Sequence, residues 1–515
     1  MKLNELIAGG NASRVIGDAE VEIGGLSYDS RTVKPGDLFF STARDAVSNR
    51  AHLEEALRRG ARAAVVRGGD DAARPAFTLI ASEHPRALMG VAASRFFGAP
   101  SRRLDLIGVT GTSGKTTTTY LLAAIFAAAG IPCGMIGTIG IFAGGRKLYS
   151  GLTTPESIDF EGALAAMERA GERAAAAEIS SIGLAERRVD ELDFRACLFT
   201  NLGRDHLDYH GTAENYFTAK LRLFSEILPR STHADAVAVV RGDDPWGRRM
   251  LDTIGGRKLS FGLDRTLDVH AENSVASVDG IRARVRTPDR VFDVQSPMLG
   301  EINLLNILGA SALSVALGIE TDAVVDGVRR CPGAPGRLEP VVGPPDVKVL
   351  VDYAHKPEAL AGVLAALGAI GPRRLICVFG CGGDRDRGKR PIMGEIAGRL
   401  AHTAILTSDN PRSEDPIRII AEVEAGLMQC GLSRIDEGDA ALGTAGYLVE
   451  PDRRAAIALA LRIAAAGDIV VIAGKGHEDY QLVAGRRLDF DDRVVVREIV
   501  GEMAEMGGAR RAPGN

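Results

Sequence analysis

The chain has 515 residues, 62 basic against 67 acidic side chains, and a net charge of -5 at neutral pH. That balance asks for no nucleic acid and no anionic membrane surface as partner, and 45% hydrophobic with 25% charged residues is an ordinary globular composition. The length exceeds what one core supports and predicts three domains.

The N-terminal MKLNELIAGG has no signal-length apolar run, and apolar stretches elsewhere break well short of about 20 residues, so a cytoplasmic protein without membrane insertion is expected. Six scattered cysteines (Cys133, Cys197, Cys331, Cys377, Cys381, Cys430) read as buried thiols. Up to about residue 100, strand-like Arg62–Val66 and helix-like Leu53–Leu57 predict a small mixed α/β domain ending near Ala99-Pro100-Ser101. From Leu104 an apolar strand enters a Gly/Thr/Ser loop and then an apolar helix at Tyr120–Ala129. Residues 232–300 alternate strand-like runs with turns at Asp243–Pro245 and Thr287–Asp289, which reads as an antiparallel excursion, closed by a helix at Asn303–Leu317. Past the Pro/Gly-rich Cys331–Gly336, apolar strands at Val347–Val351, Leu375–Phe379, Ala404–Thr407 and Asp468–Ile472 alternate with Ala-rich helices. The expected fold is therefore α/β with domains at 1–101, 102–336 (a central P-loop ATPase domain) and 337–506 (Rossmann-like), and a disordered tail at 507–515.

The segment Thr110-Gly111-Thr112-Ser113-Gly114-Lys115-Thr116 lies between strand and helix, where successive backbone N–H groups and a helix N-terminus can hold phosphate. Lys115 would reach the terminal phosphates of ATP and Thr116 a Mg²⁺ ion. The loop departs from the strict pattern, because Val109 stands where the first glycine belongs. A nucleotide loop does not separate motor, kinase and ligase.

The other strings do. Glu178-Ile-Ser-Ser181, Thr200–Gly211, Ala219-Lys220, Asp352-Tyr-Ala-His-Lys-Pro357, Asp409-Asn-Pro-Arg412 and Ala473-Gly-Lys-Gly-His-Glu-Asp479 together resemble the Mur ligases, most closely the branch that makes UDP-N-acetylmuramoyl-tripeptide. By that resemblance Lys115, Glu178, His206 and Lys220 are catalytic. Glu178, His206, Thr116 and a carbamylated Lys220 would hold Mg²⁺, the carbamate turning a cation into an anion. ATP would also meet Asn303, Arg337 and Asp352. The nucleotide-sugar peptide would meet Leu26, Ser30, Thr153, Thr154, Ser180 and Arg188.

Arg385, Asp409, Asn410, Pro411, Arg412, Gly474 and Glu478 match the amino-acid contacts of the family. Asp409–Arg412 resembles the string of members that add meso-diaminopimelate, where Arg412 could clamp a distal carboxylate that lysine lacks. The resemblance implies an ATP-dependent amide ligase of peptidoglycan precursor synthesis, working as a monomer. Its partners would be ATP, meso-diaminopimelate and a UDP-N-acetylmuramoyl dipeptide, joined through an acyl phosphate. Departures from the family occur at Arg44–Arg50, at Ile182 (usually His) and at Glu186 (usually Gln). Two alternatives stay open: a ligase of this fold for another amino acid or acceptor, and a non-catalytic paralogue that binds a nucleotide-peptide.

Overall fold

The computed structural model describes residues 1–43, 45–67, 77–148 and 151–509. It is α/β throughout, and the chain forms two compact units.

The first unit comprises residues 1–270, 286–290 and 308–327. Its N-terminal sheet orders Ala12–Ile16, Thr78–Ser82, Ala63–Arg67, Asp37–Phe40 and Gly25–Ser27 side by side, all parallel except the first. Ala46–Arg58 and Pro85–Phe97 are its main helices. The strands read as short apolar runs because both faces are covered: Ala63, Ala64, Val65 and Val66 are all fully buried. Arg44, inside the stretch that departs from the family, lies outside the described residues; Asp45 caps the following helix by accepting from Ser48 N at 2.8 Å.

The larger sheet of this unit centres on Asp105–Thr110. Ala174–Glu178 pairs parallel on one side and Ala196–Phe199 on the other. Cys133–Gly137 continues the first side. Val237–Arg241 and Arg257–Gly262 continue the second, both parallel. The antiparallel reading of 232–300 therefore fails over its first half. Asp243–Pro245 starts a crossover helix, Pro245–Thr253, whose first N–H groups are held by Asp244, and that crossover restores the parallel direction. Thr287–Asp289 does separate two strands, Gly280–Arg286 and Val291–Ser296.

The second unit comprises 271–285, 291–307 and the chain from 328 onward. Its six-stranded sheet orders Glu339–Val341, Lys348–Asp352, Ile469–Ala473, Leu375–Phe379, Thr403–Leu406 and Gly446–Val449, all parallel except the first. The predicted strands are found within one or two residues. The tail is not: Asp492–Ala509 is one helix, so 507–509 are helical, packed through Val495, Val496 and Ile499 upstream, and 510–515 lie outside the described residues. All six cysteines are free thiols, but Cys133 and Cys430 are only half-buried. Among the described residues no helix is long and apolar enough to cross a membrane.

Candidate active site

Three adjacent parallel strands of the first unit end together, and their carboxyl ends carry the predicted groups. From Thr110 the chain turns through the phosphate loop into the helix Lys115–Ala128, whose N-cap Gly114 has φ +87°. The loop is wedged against the segment after Ala196–Phe199. Thr200 Oγ1 donates to Ser113 O at 2.6 Å, Ser113 N to Asn201 Oδ1 at 3.0 Å and Thr112 N to Asn201 O at 2.9 Å. A Cβ on Gly111 would stand 1.9 Å from Thr200 Oγ1, so the approach requires glycine. Lys115 Nζ donates to Gly111 O and Thr112 O at 2.8 and 2.9 Å, which lays its ammonium along the loop.

Glu178 ends the neighbouring strand and is buried. Its Oε1 accepts from Thr116 Oγ1 at 3.0 Å and from Thr138 N at 2.9 Å, and its Oε2 from Thr138 Oγ1 at 3.1 Å. The predicted hydroxyl and carboxylate metal ligands are thus brought together. Thr138 completes the pair, and nothing in its local sequence marks it. His206 sits at φ +51° with Nε2 3.5 Å from Asp205 Oδ2.

Lys220 reaches the same loop from the helix Ala213–Arg222. It is buried, with Nζ 2.9 Å from Gly111 O and 3.4 Å from Thr110 Oγ1, and 4.8 Å from the centre of the Tyr216 ring. Burial drives its pKa well below the usual lysine value and the Lys115 charge adds to this, with Asp205 opposing. The carboxylate of Glu178 and the hydroxyl of Thr116 are oxygen donors that fit a hard cation taking its remaining oxygens from phosphate and water, while the imidazole of His206 is placed beside Asp205.

On the peptide side, Thr154 Oγ1 donates to Glu178 O at 2.8 Å and accepts from Ser180 N at 2.9 Å. Ser180 Oγ caps Ser181–Ala185 through Gly183 N, and Thr153 Oγ1 meets Thr138 Oγ1 at 3.1 Å. Arg188 donates to Thr154 O at 3.0 Å and pairs with Glu156 at 3.1 Å. Sequence reading missed Arg86, which pairs with Glu156 at 3.2 Å and with Glu186 at 2.6 Å. The negative charge introduced at Glu186 is therefore matched within the fold. This chain of ions borders a cleft of about 200 Å³ lined by residues 41–43, Arg67, 84–86 and 185–187. Toward the N-terminal sheet, Leu26 is half-buried, and Ser30 Oγ is already engaged with Glu55 Oε2 at 2.7 Å.

In the second unit most of the remaining predicted residues lie in loops at strand ends of its own sheet, whereas Asn303 is on the helix Glu301–Ala316. Asp352 is buried, and its two oxygens accept from Leu338 N and Ala354 N at 2.7 and 2.8 Å; burial raises its pKa, opposed by Arg337 and these two bonds. Arg337 lies 4.7 Å from the Tyr353 ring centre, and Tyr353 also packs against His355 and His477. Burial holds His355 down to about 4. Asn303 bonds Leu299 O and Asn306, so its amide is spoken for locally.

Asn410 Nδ2 donates to Glu478 Oε2 at 2.9 Å, and Arg412 Nη1 to Gly383 O at 2.7 Å with its backbone at φ +55°. Arg412 N and Ala484 N exchange hydrogen bonds with Leu482 O and Arg412 O, which fixes that backbone. Pro411 is buried between these two residues, and Arg385 is exposed on the loop after Leu375–Phe379. A Cβ on Gly474, at φ +119°, would stand 2.4 Å from Asp409 Oδ2. That oxygen is buried and has no hydrogen-bond partner.

A braced phosphate loop with a carboxylate and a buried lysine beside it is the arrangement of an ATP-using α/β enzyme, and the second unit carries its own cluster of charged side chains at Asp409 and Glu478. Comparison with known proteins narrows the class. Residues 109–314 match the family Mur ligase middle domain, and residues 336–476 match Mur ligase, glutamate ligase domain. A UDP-N-acetylmuramoyl-L-alanyl-D-glutamate--2,6-diaminopimelate ligase from Geobacter metallireducens is 42% identical over 98% of this chain and 100% of its own length. A solved structure of a ligase of that name is 34% identical, with a TM-score of 0.69, covering 98% of this chain and 99% of the other. MurF ligase from Thermotoga maritima, solved in complex with ADP, shares the fold at a TM-score of 0.57 and 19% identity over 96% of this chain and 99% of its own. The chain belongs to the Mur ligase family.

Proposed function

We propose that this Mur ligase adds meso-diaminopimelate to UDP-N-acetylmuramoyl-L-alanyl-D-glutamate, driven by ATP, in the making of peptidoglycan precursor. The observation that carries the reading is the gathering of charged side chains, Asp409, Arg412 and Glu478, at one end of the second unit. Asp409 Oδ2 is buried without a partner, Glu478 is held by Asn410, and Arg412 is fixed by its backbone. A carboxylate pair beside a guanidinium suits a distal centre that carries both an ammonium and a carboxylate. The likeness to relatives named for diaminopimelate supports the same choice.

The three larger sheets support a division into a UDP-sugar domain at 1–101, an ATP domain at 102–336 and an amino-acid domain at 337–506. The peptide-end carboxylate attacks the γ-phosphorus of ATP, ADP leaves, and an acyl phosphate forms. The amine of diaminopimelate then displaces inorganic phosphate as the amide bond closes and the amine loses a proton. The backbone N–H groups that open the helix at Gly114–Thr116 and the Lys115 ammonium would hold the phosphates in line. Thr116, Glu178, His206 and Lys220 as its carbamate would hold Mg²⁺. The bound ion supplies neutralisation of the phosphate charge. Burial lowers the pKa of Lys220 and so eases loss of its proton, and the neutral amine is the form that reacts with carbon dioxide. Thr153, Thr154, Ser180 and Arg188 would orient the peptide end.

Mass spectrometry of the nucleotide product tests the reading. The dipeptide substrate should gain one diaminopimelate less one water, and a product bearing lysine or glutamate in its place would refute it.

A further inference from the structure

Lys475 lies on the turn between the strand Ile469–Ala473 and the hairpin Tyr480–Val483/Arg486–Asp489. A lysine on such a turn is ordinarily a solvated charge; this one is completely buried. Its Nζ lies 3.1 Å from Glu478 Oε2 and 3.5 Å from Asn410 Oδ1, and it also donates to Tyr480 O. An ammonium has three N–H groups, so these three acceptors use it fully. Asn410 is fixed from both ends, its Nδ2 on Glu478 Oε2 at 2.9 Å and its Oδ1 accepting from Leu482 N at 2.9 Å. Both donors on Glu478 fall on the same oxygen, Oε2, and the half-buried carboxylate keeps Oε1 for something else. Lys475 thus ties the Glu478 carboxylate by one oxygen and leaves the other to face a ligand.

We propose that Lys475 is a positioning residue for the amino-acid substrate: it saturates Glu478 Oε2 and turns Oε1 toward the distal ammonium of diaminopimelate. The proposal rests on the diaminopimelate reading above. Lys475 acts on amino-acid binding through Glu478 and leaves phosphoryl transfer to the first unit.

Steady-state kinetics of the full chain tests it. Lys475→Met should raise KM for diaminopimelate about tenfold or more, the scale of one lost charge-assisted hydrogen bond, with smaller changes in kcat and in KM for ATP. A residue that merely supports the fold would lower all of these together. Combined with Glu478→Gln, Lys475→Met should add little, because the charge it serves is already gone. Additive losses, or an unchanged KM for diaminopimelate, overturn the proposal. Where thermal unfolding shows Lys475→Met to be unfolded, Lys475→Gln takes its place with the same expected split, since it keeps a donor and drops the charge. A wild-type chain that turns over with diaminopimelate while the variants keep their KM defeats this proposal alone. A wild-type chain that ignores diaminopimelate defeats the reading and this proposal with it.

Discussion

The Thr116 hydroxyl donates to Glu178 Oε1 at 3.0 Å, although 62 residues separate the two in sequence. Parallel pairing of Asp105–Thr110 with Ala174–Glu178 sets Glu178 opposite Val109, and the phosphate loop then folds Thr116 back over it. A carboxylate held this way can meet a cation on the phosphates without rearranging the strand. Glu178→Gln keeps the shape and removes the charge, so turnover should fall by about 10²–10³-fold, the range for losing one preorganised electrostatic group, with thermal unfolding little changed. Phosphate-release kinetics checks this; near-normal turnover would remove Glu178 from the reaction.

Lys220 should behave as an anion in the working enzyme. Lys220→Ala should lose most activity, and short carboxylates such as acetate should restore part of it by occupying the place of the carbamate. In the wild type, a ¹³C carbamate signal should appear with labelled bicarbonate and vanish in the variant. Absence of both would leave Lys220 as a phosphate-contacting cation.

The pair formed by Arg86 and Glu186 at 2.6 Å explains how a glutamate is tolerated where the family usually has glutamine. Arg86→Ala takes this ion pair away, leaving the Tyr209 hydroxyl on the carboxylate beside the cleft, and should raise KM for the nucleotide-peptide by about tenfold, a discounted figure because the pair is only partly buried. Adding Glu186→Gln should recover much of the loss. Kinetics with the dipeptide substrate varied decides it, and an additive double variant would contradict the pairing argument.

Arg412→Lys should erode the preference for diaminopimelate over lysine, because a point charge cannot grip a carboxylate with two parallel bonds. Competition kinetics between the two amino acids measures the ratio. An unchanged ratio would locate specificity elsewhere.

Glu161, in the helix Ser157–Arg169, is buried with a carboxyl pushed up to about 8 by loss of solvent. Unfolding restores an ordinary carboxylate, which releases its proton between about pH 4.5 and 8 while the folded state still holds it. The unfolded state then binds fewer protons, so this group's contribution to stability falls as pH rises through that window and is gone above it. Glu161→Gln should therefore unfold at a higher temperature than wild type at pH 8 and show little gain at pH 4.5. Thermal scans at the two pH values check the sign.

Much of this was legible in the sequence because strand-loop-helix units place motif residues at strand ends almost automatically. Thr110–Thr116 follows one strand and Glu178 ends its neighbour, while Lys220 reaches the loop from the helix Ala213–Arg222. Long-range partners were illegible: Thr138 on Glu178, Arg86 on Glu186 and Asn410 on Glu478 depend on which segments meet, and no local pattern encodes that. The direction of the strands at Val237–Arg241 and Arg257–Gly262 was misread because turn residues at Asp243–Pro245 serve a hairpin and a helix cap equally well. The helix through 507–509 was missed for a similar reason: glycines suggest fraying, but its apolar residues upstream are docked on the sheet.

The most direct test of the central claim is phosphate release from ATP with Mg²⁺ and UDP-N-acetylmuramoyl-L-alanyl-D-glutamate, run with meso-diaminopimelate, with L-lysine and with no amino acid. Sustained release only with diaminopimelate is the predicted result; release with lysine alone, or none under any condition, would contradict the account.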